Sequence, residues 1–96
     1  MKIVYMRKAK NDMRLLYDYI SIEQDSPQRA RNIISKIKAA ADKLKEFPNR
    51  YREWKDSGLR YFLVSGNYVF YQYDESTETV NVVRVINAHR NIDELI

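Results

Sequence analysis

Two prolines, Pro27 and Pro48, bracket the stretch that most limits how this chain can fold. Ser26-Pro27 is a helix start, with serine as the cap and proline in the first turn, where its missing N–H costs nothing. Ala30, Ile33, Ile34, Ile37, Ala40, Ala41, Leu44 and Phe47 then recur at steps of three and four, making one apolar stripe. Pro48 ends it, because the residue before a proline avoids the α region. A long one-sided helix on a chain of 96 residues needs something to cover its stripe.

Part of the cover lies upstream. From Ala9 to about Glu23 the apolar positions Met13, Leu16, Tyr17 and Ile20 mark the face of another helix. About three residues separate the two helices, which favours an antiparallel hairpin. Ahead of them, Lys2–Met6 (KIVYM) reads as a short strand.

Downstream the period changes from 3.6 to 2. Leu59–Val64 (LRYFLV) alternates, Gly66-Asn67 signals a tight turn, and Tyr68–Tyr73 (YVFYQY) gives a second strand. A polar loop, DESTE, leads to a third strand, TVNVVRVINA, at Thr79–Ala88. The predicted order is β-α-α-β-β-β. The expected fold is α+β, with a helical hairpin packed on one face of a mostly antiparallel four-stranded sheet, as a single domain over residues 1–96.

Composition closes off several chemistries. The chain has no cysteine and one histidine, His89, so disulfides, Cys-rich zinc sites and Cys/His nucleophile pairs are excluded. No phosphate-binding glycine loop, HExxH helix or nucleophile elbow is present. No cofactor and no metal are expected. The apolar run at the N-terminus is too short for a signal peptide, and no stretch approaches the length of a membrane span, so a cytoplasmic protein with no membrane partner is expected. Residues 1–47 carry eleven Lys/Arg against six Asp/Glu, whereas residues 48–96 carry six against seven. The basic half suits an acidic partner, or it is a solvated lysine-rich surface.

The last strand raises a question of its own. On strict alternation Val80, Val82, Arg84, Ile86 and Ala88 share one face, and His89 falls on the other. An arginine within such a run needs a carboxylate, several carbonyls or a cleft. It is either a tie within the sheet or an anion-binding group. If the strand ran straight, Arg90 would lie ~20 Å from Arg84, too far for the two to share one phosphate. Arg60 opens the second strand, either as an edge charge or as part of an anion site. Eight tyrosines, four of them (Tyr61, Tyr68, Tyr71, Tyr73) on two adjacent strands, fit core packing first and an interface second.

Taken in order, LLYDYI, SPQRARNIISKIKAAADKLKEFPN, GLRYFLVSGNYVFYQYD and VVRVINAHRN resemble the RelE/ParE superfamily of bacterial toxins over nearly the whole chain. The resemblance implies the toxin of a type II toxin–antitoxin, plasmid-stabilising pair. Such a toxin is neutralised by a cognate antitoxin, often through an acidic segment, in a hetero-oligomer. RelE-like members cut mRNA on the ribosome, and ParE-like members poison DNA gyrase. If RelE-like, the implied catalytic candidates are Arg60, Arg84, Arg90 and His89, with Lys55 an isolated lysine ahead of the meander. The sequence departs from a common RelE-like ending, because Asn87 stands where a His or Tyr is usual. The uninterrupted helices and the Phe47-Pro48 stop look more like ParE. A non-toxic interaction module with the same fold is the third reading.

Overall fold

A computed structural model describes all of residues 1–96. The chain runs β1 (Lys2–Tyr5), α1 (Arg7–Asp18), a π-helical turn (Tyr19–Glu23), α2 (Pro27–Asp42), a 3₁₀ turn (Lys43–Lys45), β2 (Arg60–Val64), β3 (Asn67–Asp74), β4 (Thr79–Asn87) and α3 (Ile92–Leu95). The expected order is present, with α3 as an addition. The start of α2 is as read from sequence: Pro27 opens it, and the Ser26 hydroxyl accepts from the Arg29 N–H at 3.3 Å. The first helix begins two residues earlier than its apolar pattern suggested, at Arg7, and no side chain caps it.

The strands form one sheet in the order β1-β4-β3-β2. β1 runs parallel to β4, and the other pairings are antiparallel. α1 lies over β4 and α2 reaches toward β2. Between the helices and the sheet sits the main core, which includes Ala9, Met13, Ile37, Leu44, Phe62, Val69, Tyr71, Val80, Val82 and Val85. A fully buried side chain such as Ile37 contributes about 2 kcal/mol by leaving water. Burial pushes the Tyr71 hydroxyl pKa up, and that hydroxyl donates to the Pro48 carbonyl at 2.8 Å, fixing the chain where it leaves the helical layer.

The face away from the helices is covered as well. Phe70, Ile86 and Ile92 are buried there beside Trp54, Tyr61 and Tyr68, whose rings meet edge-on or tilted. The four strand tyrosines are thus divided between two layers, with Tyr71 and Tyr73 under the helices and Tyr61 and Tyr68 on the opposite face.

Strict alternation fails once, in β4. Phe70 pairs with Arg84 but Tyr71 pairs with Val82, which leaves Val83 as an extra residue in a bulge. Val80 and Val82 face the helices, and so does Val85, whereas Ile86 packs on the other side. Arg84 therefore does not share a face with Val82, contrary to the parity reading. The hairpin turn also differs by one residue. Ser65 and Gly66, not Gly66 and Asn67, occupy it with φ of +49° and +76°. Two consecutive left-handed residues are what a two-residue hairpin loop requires, and serine adopts that conformation with strain. Ser65→Asn should therefore stabilise the protein by about 0.5 kcal/mol, since asparagine tolerates the left-handed region better. Thermal unfolding of the variant checks this by a Tm higher than that of the parent.

Candidate functional site

The geometry around Arg84 follows from a mismatch in strand length. β1 has four residues and pairs only with Thr79–Val82, so β4 becomes an open edge beyond Val82. Asp12, on α1, closes that edge. One of its oxygens accepts from the Val85 N–H at 2.9 Å and from Arg84 Nε at 2.8 Å, and the other accepts from Arg84 Nη2 at 3.0 Å. Arg84 Nη1 donates to the Leu95 carbonyl at 2.7 Å. The two side chains keep only 14% and 11% of their surface exposed. Hydrogen bonding to Asp12 holds the guanidinium pKa above its ordinary value, against the opposing effect of burial. Of the two sequence readings of Arg84, the paired tie is the observed arrangement.

Asp12 escaped the sequence reading, although a signal existed. It stands three residues after Ala9 and four before Leu16, within the apolar stripe of α1. An acid on a buried helix face and an arginine inside a strand each need a partner, and here they meet.

The other candidates lie elsewhere. Arg60 sits on the helix-facing side of β2, opposite Tyr71, and Nη1 donates to the Asn49 and Tyr51 carbonyls. It is two strands from β4, about 10 Å in the hydrogen-bonding direction, and on the opposite face from Arg84. The two arginines form no common anion site. Lys55 pairs with Asp93 on α3 at 2.5 Å, beside the Trp54 ring.

β4 does not run straight past Asn87. The Asn87 side chain accepts from the His89 N–H at 2.9 Å, and its carbonyl accepts from the Arg90 N–H at 3.1 Å, so the chain turns. This turn brings His89 and Arg90 into one cleft of about 550 Å³ with Asp12 and Tyr19. The straight strand assumed for the ~20 Å between Arg84 and Arg90 thus ends at Asn87, and the two arginines line different clefts. Arg84 opens instead into a neighbouring cleft of about 390 Å³ with Arg7, Lys8 and Asn11, and Asp12 forms the wall between the two. Neither cleft contains both Arg84 and His89.

Residues 3–92 match the model of the ParE toxin of the type II toxin–antitoxin system parDE. The chain belongs to the ParE toxin family. Within the wider RelE/ParE group, this ParE-family chain is 34% identical over 89 residues to Toxin RelE2 of Caulobacter vibrioides, covering 93% of the chain and 97% of that relative. Its fold is shared by the chromosomal ParDE system of P. aeruginosa, with a TM-score of 0.77, 18% identity and coverage of 93% and 97% of the two chains. The intact E. coli RelBE toxin–antitoxin complex contains a similar fold, with a TM-score of 0.63, 16% identity and coverage of 92% and 96%.

Two outcomes are expected in this ParE-family chain. Arg84→Ala strands the Asp12 carboxylate and should destabilise the protein by about 3 kcal/mol or more. Arg60→Ala removes bonds to two carbonyls and should cost about 1–2 kcal/mol. Urea unfolding of both variants, with an Asp12/Arg84 double-mutant cycle, measures the difference and the coupling. The Asp93 contact is expected to depend on pH. Its hydrogen bonds from Lys55 and Trp54 hold the Asp93 carboxyl below its ordinary pKa. The contact is therefore fully present above about pH 4, the ordinary aspartate value, and is lost as pH falls through the depressed one. Emission from Trp54, the single tryptophan, should report that loss, and Asp93→Asn should abolish the transition.

Proposed function

We propose that this chain is a ParE-like toxin that inhibits DNA gyrase by binding it, acts in the cytoplasm, and is neutralised in a hetero-oligomer by a cognate antitoxin. The observation that carries this reading is the dispersal of the groups a nuclease would need. General acid/base cleavage of RNA requires a proton-transfer group and cations aimed at one phosphate. Arg84 is committed to Asp12 and Leu95, Arg60 to backbone carbonyls on the other face, and His89 and Arg90 stand apart from both. A toxin that works by occupying its target needs no such convergence. The match to the parDE toxin and the basic helical half favour an antitoxin partner with an acidic segment, as expected of a plasmid-stabilising pair.

The second reading is a RelE-like, ribosome-dependent mRNA endonuclease. The cleft shared by His89, Arg90 and Tyr19 favours it, together with the relative named Toxin RelE2. Inducible expression separates the two readings. Gyrase inhibition should bring growth arrest with a DNA-damage response, and the purified protein should block supercoiling. The pair His89→Ala and Arg90→Ala should then leave arrest intact. Arrest abolished by that pair, with cut transcripts in the parent, would establish the endonuclease instead.

A further inference from the structure

Most apolar residues of α1 face the core, but one line of them does not. Leu15, Tyr19 and Ile22 follow one another at steps of four and three, which sets them on one side of α1 and the π-helical turn after it. They are 53%, 56% and 70% exposed. Single exposed apolar residues are ordinary, whereas a contiguous line of large ones marks a surface for another molecule.

The charges around the line specify what covers it. Toward its start stand Arg7, Lys8, Lys10 and Arg14, and no acid precedes Asp12, which is committed to Arg84. Toward its end stand Asp18, Glu23 and Asp25, and no lysine or arginine occurs between Leu15 and Gln28. One ion pair joins the two groups, Arg14 with Asp18 at 3.7 Å. This polarity opposes the dipole of the helix. A helix N-terminus carries partial positive charge and favours acids, yet α1 has no acid in its first turn and no base in its last. The arrangement therefore does not serve α1 in isolation. An antiparallel neighbour of the same sequence turns it to advantage, because each basic end then lies against an acidic end. A partner of a single sign would be repelled at one end of the line.

We propose that the face formed by Leu15, Tyr19 and Ile22 pairs with the same face of a second copy of this chain, antiparallel about a two-fold axis at the level of Tyr17. Leu15 of each copy then meets Tyr19 of the other, as an isologous interface requires. Lys8 stands seven residues before Leu15, two turns away on the same side and about 13 Å along the helix from the axis. Glu23 of the second copy comes level with Asn11, between Lys8 and Arg14, and its Asp25 lies next to Lys8. The contact is small, so its Kd falls at about 10–100 µM. The inference goes beyond the proposed function and holds equally for a gyrase inhibitor and for an endonuclease.

Sedimentation of the full chain from about 5 µM to 1 mM, in about 50 mM salt, should show a monomer–dimer equilibrium. Leu15→Glu and Tyr19→Ala change exposed positions, and each should weaken the dimer by about tenfold or more with an unaltered circular dichroism spectrum. Lys8→Glu and Glu23→Lys should each weaken self-association too, because each sets like charges together at both ends. Mixed one to one, these two charge variants should pair with each other about tenfold more tightly than either pairs with itself, since only the mixed pair has opposite charges at both ends. A chain that stays monomeric up to about 1 mM overturns the proposal. So does a dimer indifferent to Leu15→Glu and Tyr19→Ala, or a mixture of the charge variants that associates no more tightly than its components. None of these readouts depends on growth arrest or gyrase, so the two proposals fail separately.

Discussion

The carboxylate of Asp12 holds together parts of the chain that are otherwise held by weak or partial contacts. It lies on a helix whose N-terminus has no side-chain cap, beside a strand whose edge is half uncovered. By accepting from the Val85 N–H and from two nitrogens of Arg84, it substitutes for the missing length of β1. Arg84 then passes the connection on to the last turn of the chain through the Leu95 carbonyl. A buried pair of this kind adds little net stability compared with apolar residues of the same shape, but losing one member is severe. Its value is in register, since the bonds form only when α1, β4 and α3 all stand in one arrangement.

The bulge at Val83 makes that arrangement possible. Were residues 80–86 a regular strand with no bulge, Arg84 would point the same way as Val80 and Val82, into the layer where Met13 and Ile37 pack. Shifting the phase by one residue restores Val85 to the core and moves Arg84 to the rim, where a guanidinium can be satisfied.

Much of this was legible before the structure. The 3.6-residue stripes of α1 and α2, the Ser26-Pro27 start and the alternating meander fixed the layers, because each pattern has one face to bury. Three things were not legible, for physical reasons. The bulge leaves every residue type in β4 compatible with a straight strand, so parity counting carried Arg84 to the wrong face. The turn past Asn87 is made by a local side-chain bond to the His89 N–H, which no period reports. α3 spans four residues, Ile92–Leu95, too few to show a helical period, and it is held from outside by Lys55, Trp54 and Arg84. Of the candidate site, Arg60, Arg84, Arg90 and His89 were singled out from sequence and Asp12 was not, and how they group depends on these three features.

The strand order has a consequence in time. β4 is made after β1, α1, α2, β2 and β3, yet β1, β3 and α1 all require it, and Lys2 meets Thr79 across a long stretch of sequence. Such long-range parallel pairing is slow to form, because loop closure must precede any reward. During synthesis the helices are complete while the sheet they cover is still absent, and their stripes remain open to whatever protein is nearby. The sheet exists only once β4, through Asn87, is in place. A cell making this chain therefore has an interval in which the polypeptide is present and its folded surface is not.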